Sequence, residues 1–222
     1  MREQFRQELK AIHAEVVGIL ESVTECTRQS VTALITGDED LALTVISSDH
    51  ALDDRCAAVE ERVIETIATQ SPVARDLRLL QSLAYMAIRL ERMADLATNI
   101  AKAAKRTAGR RGPQTLYDLI QAQGNLVYRV LDATREALEK RDLELARKLP
   151  ELDEPIDHLY KQFFRELARL SNEEDIEWAS QMVLASRYLE RIADNSVDIG
   201  ERIAYLITGE REHVEPVVPD AE

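Results

Sequence analysis

The segment Arg89–Ala101, RLERMADLATNIA, returns as Tyr188–Gly200, YLERIADNSVDIG, at a constant offset of 99 residues. Glu91 aligns with Glu190, Arg92 with Arg191, Asp95 with Asp194, and Asn99 with Asp198. The apolar positions align too: Leu90 with Leu189, Met93 with Ile192, Ile100 with Ile199. Such a period is too long for a solenoid and suits a small domain present twice. Acidic residues four apart share one face of a helix. Like charges at that spacing repel by roughly a few tenths of a kcal/mol, so water or a cation is needed to offset them.

Outward from this repeat, apolar residues recur at helical spacing along nearly the whole chain. A first helix is expected at about Glu3–Thr36, with Phe5, Leu9, Ile12, Val16, Ile19 and Val23 on one stripe. Gly37 and the acids Asp38–Asp40 end it and open a second helix, about Leu41–Gln70. Ser71-Pro72 reads as the N-cap and first residue of a third helix that runs to about Thr107. The basic stretch KAAKRTAGRRGP (Lys102–Pro113) closes this half and links it to the next. Thr115 with Asp118 opens a fourth helix, and a fifth spans about Asp142–Leu170. Ser171 with Glu174 forms a capping box for a sixth, which Gly209 ends. The expected fold is all-α: two pseudo-symmetric antiparallel three-helix bundles, residues 1–110 and 114–208. The tail 209–222, with two prolines and no periodicity, is expected to be disordered.

Composition narrows the function. Only 7 Gly and 6 Pro in 222 residues leave little material for turns, which fits long helices. The net charge of −13 argues against a nucleic-acid backbone as partner. No run of residues approaches the roughly 20 apolar positions of a membrane span. The charged start MREQFRQELK has no signal-peptide character, so the expected location is the cytoplasm. Cys26 and Cys56 read as two small thiols rather than a bridge. Phe5, Tyr85 and Trp178 read more readily as core than as contact aromatics.

A second acidic pair precedes each copy of the repeat: Asp49 and Asp53 in the first half, Asp153 and Asp157 in the second. The centres of Asp49–Asp53 and Glu91–Asp95 have residue 72 as their midpoint, which is the turn between the helices. The same construction in the second half falls between 173 and 174, again at the turn. In an antiparallel hairpin both pairs therefore sit at one height. Asp53, Glu91, Asp157 and Glu190 each follow a seam residue (Leu52, Leu90, Ile156, Leu189) and flank the buried stripe by about 100°. Four such carboxylates repel in a desolvated groove, and a multivalent cation reverses the sign. Oxygen-only ligation favours Mg²⁺, Ca²⁺, Mn²⁺ or ferric iron. His50 and His158 lie outside the Glu-x-x-His spacing of di-iron bundles. Solvated carboxylates with Arg89, Arg92 and Arg191 as ion-pair partners remain the plain alternative.

DLR at Asp76–Arg78, LERMAD at Leu90–Asp95 with NIA at Asn99–Ala101, and LERIAD at Leu189–Asp194 resemble the PhoU family of accessory regulators of bacterial phosphate uptake. The resemblance covers residues 1 to about 208. It implies two three-helix bundles, iron or zinc bound by acidic motifs, and no catalysis. The partners it implies are the ATPase subunit of the phosphate transporter and a membrane sensor histidine kinase. The implied ligands are Asp49, Asp53, Glu91 and Asp95, then Asp153, Asp157, Glu190, Asp194 and Asp198. The family often has Gly-Asp-His where this chain has Ala94-Asp95-Leu96 and Ala193-Asp194-Asn195. Pro150 and Pro155 also fall inside the fifth helix; if it restarts near Asp153, that carboxylate turns to backbone amides, so the second site is less certain than the first.

The function expected is therefore a non-enzymatic adaptor that represses the phosphate-starvation response. A homodimer is expected from the long amphipathic helices. No nucleophile–base pair or phosphate loop is present in the sequence. The alternatives are a carboxylate-bridged metalloenzyme (a hydrolase or oxidase) and a plain helical scaffold.

Overall fold

The structure is a computed structural model and describes residues 2–169 and 176–210. It contains α1 (Arg2–Thr36), α2 (Glu39–Gln70), α3 (Ala74–Thr107), α4 (Gln114–Lys140), α5 (Leu143–Leu167) and α6 (Ile176–Thr208), with no strand among the described residues. α1, α2 and α3 pack mutually as one antiparallel bundle, and α4, α5 and α6 as the other. α3 also packs on α6 and α1 on α4, so the two bundles lie side by side.

Both contacts between the bundles are antiparallel. His13 at the start of α1 meets Leu138 at the end of α4, its Nε2–H donating to the carbonyl at 3.2 Å. Arg89 of α3 reaches Asp198 of α6 at 3.0 Å. The pseudo-twofold thus runs across the helix axes, and one buried apolar core spans both bundles. Ile12, Ile19, Leu83, Leu90, Ile192 and Ile203 are sealed within it.

Helix ends follow local chemistry. Asp38 caps α2 by accepting from the Leu41 amide at 2.9 Å, and Asp142 caps α5 from Leu145 at 3.0 Å. At the α2–α3 turn the structure departs from expectation. Ser71 finishes α2 in the left-handed region, φ 46°, donating its N–H to Ile67 O. An N-cap needs extended backbone, so Ser71 cannot also start α3. α3 begins two residues later than expected, behind Val73, with no side-chain cap. The capping box Ser171–Glu174 and the tail beyond 210 lie outside the described residues.

α5 keeps to the single helix expected across its prolines. It does not restart at Asp153 but runs unbroken through Pro150 and Pro155, anchored by buried Leu149, Ile156 and Phe163. Pro150 cannot donate to the Ala146 carbonyl four residues back. That carbonyl lies against Gly200 of α6, where a Cβ would stand 3.0 Å from it and 2.6 Å from Leu149 Cδ1. Only a glycine lets the two helices approach so closely. Gly112 plays the same part in the linker, since a Cβ there would fall 2.1 Å from the Trp178 ring. Trp178 is fully buried and donates Nε1–H to Tyr117 Oη at 3.0 Å, so it is core. Tyr85 is half-buried beneath the guanidinium of Arg202. Cys26 is half-buried and Cys56 buried, and both are unbridged. No described helix is long and apolar enough to cross a membrane.

Candidate metal centres

The first acidic centre lies between α2 and α3. Leu52 and Leu90 are buried in the core, so their neighbours Asp53 and Glu91 are carried to the edge of the seam, where α2 and α3 face each other. Thr98 of α3 reaches across and donates its hydroxyl to Asp49 Oδ1 at 2.8 Å. Asp53 is partly exposed as a residue, yet its Oδ1 is shut from solvent and has no hydrogen-bond partner. Desolvation, then the charges of Asp49 and Asp95, push its carboxyl above the usual range. Glu91 is raised for the same reasons, with Asp53, Asp95 and Glu60 beside it. Cys56 is adjacent, but burial, Glu91 and Asp53 hold its thiol at about 12, so it offers no thiolate at neutral pH.

The second centre, between α5 and α6, is tighter. One oxygen from each of Asp153, Asp157 and Asp194 lies within 4.8 Å of the others. Asp153 is no N-cap: its Oδ1 is buried without a partner, and its pKa rises to about 7 through burial and the charges of Asp194, Asp157 and Glu190. Asp194 is raised by desolvation and by Asp157. Pro150 and Pro155, which made this site the less certain of the two, thus leave Asp153 facing Asp157 and Asp194.

Two expected ligands are engaged elsewhere. Glu190 is buried and held in an ion pair by Arg187, one turn earlier on α6, although desolvation still raises its pKa. Asp198 turns to the other bundle and pairs with Arg89. Arg89 is fixed further by Tyr85 Oη, to which its Nη2 donates at 2.8 Å, and by Asn195 Oδ1 at 3.3 Å. Arg187 stands at i, i+3 spacing from Glu190, a neighbour visible in the sequence although the pairing itself is not. Thr98, Glu60 and Asn195 gave no such signal, because their contacts cross between helices.

Between the centres, on the pseudo-twofold, a groove of about 420 Å³ separates α3 from α6. The matched pairs Arg92/Arg191 and Asp95/Asp194 line it. Neither Arg92 nor Arg191 forms an ion pair within 4.0 Å among the described residues.

These donors fit a cation. Orphaned, buried carboxylate oxygens at Asp53 and Asp153 are costly unless something positive meets them. The histidines are exposed: His50 Nδ1 lies 4.0 Å from Asp53 Oδ2, and His158 Nδ1 donates to Glu154 O at 2.8 Å. An oxygen-only set suits hard ions better than zinc. A bound ion here would neutralise the converging carboxylates and hold α2 to α3 and α5 to α6.

The family model described as the PhoU domain matches residues 16–104 and 120–203, one match per bundle. The chain is similar to the phosphate-specific transport system accessory protein PhoU homolog of Clostridium acetobutylicum, with 32% identity over 95% of this chain and 97% of that one. It is similar to the homolog of Rhizobium meliloti at 33% identity, over 92% and 87% of the two chains. Among solved structures it resembles PhoU from Pseudomonas aeruginosa, with TM-score 0.88, 27% identity and coverage of 93% of this chain and 100% of that chain. The phosphate transport system regulatory protein PhoU from Streptococcus pneumoniae superposes with TM-score 0.85 at 28% identity over 95% and 100%. With both bundles matched by the family model and relatives above 30% identity over nearly the full length, this chain belongs to the PhoU family.

Proposed function

We propose that this protein is a non-enzymatic, cytoplasmic accessory regulator of phosphate uptake whose two acidic centres bind metal ions. In this reading it couples the ATPase subunit of a phosphate ABC transporter to a membrane sensor histidine kinase and represses the phosphate-starvation response, working as a homodimer. The bundles of residues 1–110 and 114–208 act as two equivalent metal-bearing units. Asp153, Asp157 and Asp194 form the core of one site, and Asp53, Glu91 and Asp95 of the other, with Asp49 and Glu190 at their edges.

The observation that carries the reading is an orphaned, buried carboxylate oxygen in each hairpin: Asp53 Oδ1, from the second acid of its pair, and Asp153 Oδ1, from the first of the other. The all-oxygen donor set suits hard cations, Mg²⁺, Ca²⁺, Mn²⁺ or ferric iron. The names of the relatives support the link to phosphate transport.

Elemental analysis of untagged protein, beside Glu91→Ala/Asp95→Ala and Asp153→Ala/Asp157→Ala variants, tests the metal half. Stoichiometric metal in the parent, with each variant losing one centre's share, is expected. Equal metal content in all three would refute it. Capture of the transporter ATPase by parent protein, weakened at least tenfold in the doubly substituted forms, tests the regulatory half.

A further inference from the structure

A second cavity, also about 420 Å³, opens far from the acidic centres, where the start of α1, the start of α3, the α4–α5 turn and the end of α6 meet. Its charged lining is almost wholly basic: Arg6, Lys10, Arg75 and Arg141 against a single carboxylate, Asp76. None of these four cations makes an ion pair or hydrogen bond among the described residues. In a chain with 41 acidic side chains and 28 Lys and Arg, that is the reverse of what sorting by charge should give. Nearby cations do find partners: Arg62 pairs with Glu8 at 2.8 Å and Arg55 with Glu15 at 2.7 Å. All four are solvent-exposed, and like charges gathered at one cavity create a positive field that favours an anion from outside.

The backbone points the same way. α3 starts at this cavity with no side chain on its first amides, and its first-turn residues Arg75 and Asp76 line the wall. The exposed N–H groups of a long helix favour a negative charge. Ala74 and Arg141 hold left-handed backbone, φ 46° and 53°, which residues with a Cβ rarely take. Arg141 occupies the helix-ending position where glycine is usual, which sets a guanidinium at the cavity instead. His13 is fixed alongside by its bond to Leu138 O.

Leu9, Leu79 and Leu206 supply an apolar wall. The volume falls in the range of about 300–1,000 Å³ usual for small-molecule sites, too large for orthophosphate alone. We propose that this cavity binds a small organic polyphosphate, a nucleoside di- or triphosphate in chemical class, with the phosphates on the arginines and the organic part on the leucines. Arginine's planar fork suits such bidentate phosphate contacts.

The test is calorimetric titration of the full chain, freed of metal on a chelating resin, with ADP, ATP and orthophosphate. One saturable site per chain is expected for ADP or ATP, with orthophosphate at least tenfold weaker. Arg75→Ala/Arg141→Ala, and independently Arg6→Glu/Lys10→Glu, should each weaken ADP at least tenfold while keeping the helical circular dichroism. Lys102→Ala/Arg129→Ala, which removes two exposed cations elsewhere, should change it less than twofold. No saturable binding of either nucleotide up to millimolar concentration, or equal loss in the control variant, would overturn the proposal.

Discussion

Asp153 is out of reach of solvent and of any donor at Oδ1, and its carboxyl titrates near 7 instead of 3.8. In the metal-free chain such a group keeps a proton on folding that the unfolded chain has already lost. Its stabilising contribution is complete below about pH 4, falls as pH rises, and is gone above about 7. Asp53, Glu91, Glu190 and Asp194 are shifted the same way, so metal-stripped protein should melt lower at pH 8 than at pH 5. Asp153→Asn removes the largest of these shifts; its melting temperature at pH 8 should rise by about 2–4 °C over the stripped parent. Thermal melts at the two pH values decide this, and an unchanged pH slope in the variant would count against it. The acids themselves were legible in the sequence because their spacing and their place beside seam residues are set within one helix. The fates of Glu190 and Asp198 were not. One depends on which way Arg187 leans, and the other on Arg89, in the opposite bundle and more than a hundred residues earlier.

At the level of the helices, periodicity revealed all six, because each buries a stripe wide enough to recur at helical spacing. Their ends were less legible, since Ser71 suits two roles and only the turn's backbone chooses between them. Proline left a restart of α5 open for a similar reason. Its penalty is local, whereas Leu149, Ile156 and Phe163 hold the helix from the core side, and Gly200 accommodates the carbonyl that Pro150 leaves behind. Gly200→Ala would force α5 from α6 and should destabilise the chain by about 1–3 kcal/mol. Because that hairpin carries Asp153, Asp157 and Asp194, the variant should also lose metal from the second centre before the first. Denaturant unfolding and metal titration of the same sample would show both effects.

For the molecule as a whole, the repeat foretold two bundles, but it said nothing of how they meet. That depends on α3 and α1, whose apolar surfaces exceed what their own bundle can cover. The result is a single core through both halves, closed by contacts such as His13 to Leu138 and Arg89 to Asn195. Those partners are 125 and 106 residues apart along the chain. On a ribosome adding about 5–20 residues per second, the first bundle would wait on the order of 5–20 seconds for the surface that seals it. During that interval the α1–α3 face is an adhesive surface with no mate. Nascent chains halted after α3 should therefore recruit holdase chaperones, and release should follow once α6 has emerged; crosslinking to stalled chains of graded length would read this directly.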